Sequence, residues 1–479
     1  MRTQLLALVA IGLLAIVAAI PLPSNSSPVR AASDQAIQDA IDKGLAWLAM
    51  QEQPDGHLAH LEVPGPPTTL GRDAAATCLA LVKFEERGWE LYPPPASGPF
   101  DLNYRYHRTV EDGLNYVFTQ MLVAFPTDFV FVQVPGLYGG RVYETGICMM
   151  AVAASRSPDN EVPYGLESPL QGWKYRAVLQ GMLDWMVYAQ NQWTDVPPPA
   201  ACAIGGWGYF ANDASGCDNS NTGYATLGIG FATSPDYGFA LALPAAVRLS
   251  LGSFVNEVQD PSSGGSYYTP CKDEAWWLNI LKTGNLLYEM KLLGATKDVW
   301  RVQAAVDYIE SNWSAEAVAP YWNGWREWDD AGQGYYQAMF SMMKGLVAYG
   351  IDILYVGPHP WGPFLTAVWF DWVSDFIVSH QEPAGYWTGV GEGSVDWVLE
   401  TSWALLTLEK VVAVPPEVPP PPKAVGGTVE LAAGASDSSL RPAHGSGPSA
   451  PYGALAGGAA AAVLALTAGA WYARRRWLA

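Results

Sequence analysis

Positive charge is what this sequence has least of. Its 479 residues carry 26 Lys and Arg against 46 Asp and Glu, a formal net charge of −20. A surface of that sign repels phosphate backbones and anionic headgroups, which excludes nucleic acid as a partner and charge-driven attachment to lipid. Histidine is scarce as well: the six residues show no ligand spacing, so no metal site is read and no cofactor is expected. No Ser/His/Asp order stands out either, which leaves no hydrolytic triad. Long apolar runs are missing between residues 33 and 412 and occur only at the two ends.

Those ends read as targeting and anchoring segments. "MRTQLLALVAIGLLAIVAAI" and the polar stretch after it form a secretory signal over residues 1–32, with cleavage between Ala19 and Ala32. At the other end, Tyr452 to Ala473 is free of charge, long enough to cross a bilayer, and stopped by Arg474, Arg475 and Arg476. Residues 452–473 are therefore expected to be a single transmembrane helix and 474–479 a cytoplasmic basic tail. The Pro-, Gly- and Ser-rich residues 413–451 make a stalk. The expected location is the cell membrane, with residues 33–412 as an extracytoplasmic domain.

Export permits disulfides. Of the five cysteines, Cys78 in "TCLAL" and Cys148 in "GICMM" lie within apolar helical runs and read as buried thiols. Cys202 and Cys217 bracket one loop and are expected to pair, with Cys217 to Cys271 as the alternative. Asn312 in "NWS" is a glycosylation acceptor where the host glycosylates.

Within residues 33–412 a unit of about 60 residues recurs six times. Each has an amphipathic helix, a Gly/aromatic loop and a helix rich in small residues, as in "AIDKGLAWLAM" leading to "DAAATCLALVKF". Six such hairpins bury their second helices against one another in a closed ring; an open solenoid is the competing arrangement. The third unit has the densest loop, "GWGYFANDASGCDNSNTGYATLGIGFA". There Trp207 and Tyr209 sit among glycines, and Asp218, Asn219 and Asn221 are side chains that cap helices. Tyr224, Leu227, Gly228 and Phe231 then fall on one helical face.

Gln381, Gly385 and Trp387 in "HQEPAGYW" match the Gln-x3-Gly-x-Trp motif of the terpenoid cyclases, and "WLAMQEQPDGH" is a partial copy. Over roughly residues 35–412 the chain resembles the prenyltransferase and squalene oxidase repeat proteins of the terpenoid cyclase and protein prenyltransferase group. The resemblance implies an all-α alpha6/alpha6 toroid whose inner helices start at the mouth of a central cavity. The group's chemistry then tests residue by residue. "DDAGQ" lacks the last acid of the diphosphate-binding motif, no Cys, Asp and His are spaced for zinc, and the thioester motif is absent. "EWDD" approaches the motif of the protonating cyclases, which makes Asp329 the candidate acid with Asp330 and Glu327 beside it. An acidic pair before a helix also reads as a plain cap.

Candidate ligand-binding residues at the ring's rim are Trp207, Tyr209, Asp218, Asn219, Asn221, Trp276, Tyr335 and Tyr336. Further acids at inner-helix entrances are Asp73, Glu144, Asp273, Glu274 and Glu400. The expected function is a surface-anchored toroid that binds an apolar or amphipathic ligand, a lipid among them, without converting it. The alternatives are a cyclase or mutase acting on an isoprenoid lipid and a carbohydrate-active alpha6/alpha6 barrel. The oligomeric state is left open.

Overall fold

The computed structural model describes residues 31–59, 70–124, 127–133, 141–192, 195, 200–213, 216–270, 278–317, 323–327, 333–356, 365–390 and 396–417. Nearly all of the expected signal segment, most of the stalk, the 452–473 span and the basic tail lie outside them. Among the described residues no helix is long and apolar enough to cross a membrane.

Twelve α-helices are described, and they alternate in character. The first of each pair are α1 (Asp34–Ala49), α3 (His107–Thr119), α5 (Tyr175–Ala189), α7 (Ala245–Val258), α9 (Trp300–Ser311) and α11 (Trp369–Ser379). The second are α2 (Leu70–Leu91), α4 (Val142–Ala154), α6 (Asn219–Thr233), α8 (Ile280–Leu292), α10 (Tyr336–Ala348) and α12 (Trp397–Leu408). In α9 the buried residues Val302, Ala305, Val306 and Ile309 form one stripe, the signature of a helix wet on its other side. In α4 twelve of the thirteen residues are buried, so that helix has protein all round it. Each even-numbered helix packs on the next, and α12 packs back on α2. Six inner helices thus form a closed ring inside six outer ones, which rules out the open solenoid.

Small residues let the inner helices approach closely. A Cβ on Gly146 would lie 2.6 Å from the Tyr224 carbonyl oxygen, and one on Gly228 would lie 2.4 Å from the Gly146 carbonyl oxygen. A disulfide joins Cys78 of α2 to Cys148 of α4, correcting the reading of both as thiols. The two helices are neighbours in the ring although 70 residues separate the cysteines.

The Gln-Gly-Trp motif proves to be a clasp between hairpins, and it occurs more often than the sequence suggested. Gln381 Nε2 donates to the Gly385 carbonyl (2.9 Å) and to Ala40 of α1 (2.8 Å). Gln190 does the same to Gly205 and to Val247 of α7 (2.8 and 3.1 Å). Gln259 reaches Gly264 and Arg301 of α9 (3.0 and 2.9 Å). Gly385 has φ +107°, and a Cβ there would meet the Lys43 backbone at 2.5 Å, so glycine is required. The Trp indoles tie each loop to its own outer helix: Trp387 Nε1 donates to Ile377 (2.7 Å) and Trp207 Nε1 to Met186 (2.9 Å). From the inner side, Thr77, Thr145, Thr222, Thr283 and Thr401 each accept a backbone N–H from the preceding loop through Oγ1, at 2.9–3.2 Å. Among the described residues, five of the six units show this latch.

The all-α expectation needs one amendment. Two antiparallel hairpins sit in the connections: β1 (Met121–Ala124) with β2 (Phe129–Val132), and β3 (Ile353–Val356) with β4 (Leu365–Val368). Their β-branched and aromatic residues suit a pleated, half-buried surface.

Candidate functional site

The inner helices begin at one end of the ring, its mouth, and end at its base. At the base, Tyr288 donates to the Ala413 carbonyl (2.6 Å), and buried Lys83 pairs with Glu409. The segment after α12 therefore covers that end. A polar cleft of about 480 Å³ opens there between Glu86, Arg156, Asp236 and Glu409. Much of its charge is paired internally, Arg156 with Glu86 at 2.7 Å and Glu409 with Lys83.

A cavity of about 220 Å³ lies at the mouth. Its walls are the first turns of the inner helices: Tyr143 and Ile147 of α4, Ser220 and Tyr224 of α6, Leu399 and Trp403 of α12. Each pair is spaced i, i+4, which places both side chains on the helix face turned to the axis. Tyr209 closes the side from its loop, its ring edge-on to Tyr143 with centroids 6.2 Å apart. The polar wall is Arg141, Asn221, Gln337 and Asp396. Arg141 lies 3.5 Å from Glu144 and donates to the Tyr143 hydroxyl at 3.3 Å. Burial pushes the Tyr143 hydroxyl up, and Glu144 pushes it further. Gln337 donates to the Tyr224 hydroxyl at 3.3 Å.

Capping residues set this wall. Asp218 is the N-cap of α6, accepting through Oδ1 from the N–H groups of Ser220 and Asn221 (2.8 Å each) and through Oδ2 from Asn221 Nδ2 (2.7 Å). Burial raises its carboxyl, against those hydrogen bonds and the charge of Lys282. Lys282 of α8 donates to Ser220 Oγ and lies over the Tyr268 ring at 4.7 Å. Asp396 caps α12, accepting from Val398 and Leu399 (3.1 and 3.2 Å).

Deeper along the axis, Lys344 of α10 and Glu289 of α8 are fully buried. Burial pushes the Glu289 carboxyl up to about 8 and the Lys344 ammonium down to about 7, each opposed by the other's charge. The Lys344 Nζ lies within 6 Å of the ring centroids of Tyr224, Tyr288 and Phe340. Among the described residues no group of three or more His, Cys, Asp or Glu is placed to hold a metal ion.

The structure brings two of the expected ligand residues to this cavity, Tyr209, 45% exposed, and Asn221. Asp218 and Asn219 stand behind it as cap and spacer, Asn219 donating to Ser266 Oγ and accepting from Asn285 (both 2.9 Å). Five other candidates are buried away from the cavity lining. Trp207 is 0% exposed with its indole spent on Met186. Tyr335 and Tyr336 are packed in the core, Tyr335 with its N–H on Trp325 (3.0 Å). Glu144 and Glu400 sit one position off the inward face and are buried between helices. Trp276, Asp329, Asp330, Asp273, Glu274 and the side chain of Asp73 lie outside the described residues. Glu327, whose N–H donates to Gln333 (2.8 Å), is described.

The expected Cys202–Cys217 bridge is absent. Cys217 is a free, buried thiol donating to the Ala203 carbonyl at 3.3 Å, which also removes its pairing with Cys271. Cys202 is disulfide-bonded elsewhere. Not singled out as site residues from the sequence were Arg141, Tyr143, Gln337, Trp403 and Tyr224, the last read only as part of a helical face. An i, i+4 pair at the start of an inner helix marks Tyr143, Tyr224 and Trp403, whereas Arg141 and Gln337 enter singly.

The sequence matches no family signature and no curated protein. By structure it is similar to the type II terpene cyclase MstE of Scytonema, at 12% identity and TM-score 0.44, covering 79% of this chain and 98% of that one. It is also similar to a GH76 α-mannanase of Bacteroides thetaiotaomicron, at 10% identity and TM-score 0.48, over 78% and 95% of the two chains. A GH76A α-1,6-mannanase of Salegentibacter gives 12% identity and TM-score 0.46, over 78% and 98%. Likenesses at this level transfer no activity. The closed ring of six hairpins, on its own contacts, makes this chain an α/α toroid of the kind its resemblance to the terpenoid cyclases implied.

Proposed function

We propose that this chain is a surface-anchored binding protein whose ring mouth holds one small apolar or amphipathic ligand without converting it. The observation that carries the reading is the mouth cavity itself, walled by Tyr143, Tyr209, Tyr224, Trp403, Ile147 and Leu399 with a few polar groups among them. Aromatic faces give contact area at little cost in rotamer entropy, and a few fixed polar groups orient the ligand. Its volume of about 220 Å³ suits one ring or a short chain better than a long isoprenoid. The lining carboxylate, Asp396, is engaged in capping α12, which supports binding over acid catalysis. Anchoring rests on the sequence of residues 452–473.

Native mass spectrometry of the purified full-length chain tests this, with extraction and identification of what it carries. The expected result is one small bound species, retained by wild type and lost from Tyr209→Ala and Tyr224→Ala variants that still fold. Turnover of that species, abolished by Asp329→Asn with binding intact, would replace this reading with the cyclase one.

A further inference from the structure

We infer that the ligand's polar end is an uncharged group that both donates and accepts a hydrogen bond, a hydroxyl or a primary amide; this rests on the mouth cavity being the binding site. Asn221 lines that cavity and is only 1% exposed, yet its Oδ1 has no hydrogen-bond partner. The amide cannot be turned round to remove the vacancy. Its other end faces Asp218 Oδ2 at 2.7 Å, and a carboxylate whose Oδ1 already accepts two backbone N–H groups needs a donor there. The open end of Asn221 is therefore an acceptor, and leaving it unmet in a dry site is costly.

The next residue supplies the opposite group. Ser220 Oγ accepts from Lys282 Nζ, so its own O–H is directed to a further acceptor, and Ser220 lines the same cavity. Arg141, at the start of the neighbouring helix α4, adds a donor: its Nε is buried without a hydrogen-bond partner. An acceptor and a donor one residue apart complement a group that carries both.

Either charge fits less well. An anion gains Ser220 and Arg141 but brings a negative charge against Asn221 Oδ1. A cation gains Asn221 and the lining carboxylate Asp396, but that carboxylate already caps α12, and the cation faces Arg141 and, behind Ser220, Lys282.

Three probes with one six-carbon ring separate these cases: cyclohexanol, cyclohexanecarboxylate and cyclohexylammonium. Binding to the full-length chain in nanodiscs is read by saturation-transfer NMR, with each variant in the same nanodiscs to cancel partition into lipid. Cyclohexanol is expected to bind tightest and to weaken about tenfold in Asn221→Leu, the size of one lost buried hydrogen bond. Because Asn221 also holds Asp218, Ser220→Ala is the second variant, with the melting temperature of both checked. Preference for either charged probe overturns the inference. So does equal binding of all three untouched by both variants, although the cavity reading then survives. Failure of all three to bind overturns the cavity reading and this inference with it.

Discussion

Replacing Glu289 by Gln should leave the protein unchanged in mild acid and make it more stable at pH 8. Glu289 is fully buried in α8, and neither carboxylate oxygen has a hydrogen-bond partner. Burial raises its pKa from 4.5 to about 8. Between those values the folded chain keeps a proton that the unfolded chain has released, so stability falls as pH rises through the window. The slope is about 1.4 kcal/mol per pH unit. Carried across the window it gives a ceiling of roughly 5 kcal/mol by pH 8. Lys344, brought down from 10.5 to about 7, has the opposite sense: its folded form loses the proton first, so its penalty is complete below pH 7 and fades as pH rises toward 10.5. At pH 5 wild type and Glu289→Gln both hold a neutral group beside a charged lysine and should match within about 1 kcal/mol. At pH 8 the variant should lead by several kcal/mol. Guanidinium unfolding of both proteins at pH 5, 6, 7 and 8, with a common m-value, measures the difference. A variant weaker than wild type at pH 8 would refute the reasoning, because it would mean that Glu289 is ionised and held by Lys344 as an ion pair.

Four further outcomes follow from the geometry. Cys78→Ala with Cys148→Ala should cost about 4 kcal/mol, the chain-entropy value for a loop of this length, and a loss below about 1 kcal/mol in reversible unfolding would contradict it. Gln381→Leu should cost about 1–3 kcal/mol by leaving the Gly385 carbonyl unmet and removing the tie to the Ala40 carbonyl of α1, and hydrogen exchange should show α1 opening before the rest. Native Cys217 should resist iodoacetamide and react once unfolded, while Cys202 stays unlabelled until reduced; nonreducing peptide mapping that finds Cys202 linked to Cys217 would defeat this. Trp207→Phe should lower the melting temperature and leave ligand retention intact, because its indole serves Met186 and not the cavity.

The ring was legible because its cause is periodic. Outer helices such as α9 carry one apolar stripe and inner ones such as α4 carry apolar residues all round, and that contrast repeats along the chain. The clasps were only partly legible. Gln381, Gly385 and Trp387 keep the motif's spacing, whereas Gln190 and Gly205 are parted by an inserted loop and Gln259 ends on Ser266 instead of Trp. The cysteine pairing was misread because closeness along the chain stood in for closeness in space: Cys202 and Cys217 share a loop, but Cys78 and Cys148 share a helix contact. The cavity was missed for a related reason. Its wall is assembled from two or three residues at the start of each of several inner helices, and no one segment shows more than three of them. Loop aromatics drew notice instead, and one of them, Trp207, holds its loop to α5 and does not line the cavity.

The placement of the two chain ends has a practical reading. Gln38, in the first turns of α1, shares the base cleft with Glu409 and Val412, so the domain's polypeptide enters and leaves on the side away from the mouth. A fluorescent protein, affinity tag or surface linker fused at either end of the domain therefore extends from the base and leaves the mouth clear. The same nearness makes the domain a candidate for rejoining: a short bridge from the base segment to α1, with new ends cut in the connection between α6 and α7, would keep every clasp, latch and disulfide described above.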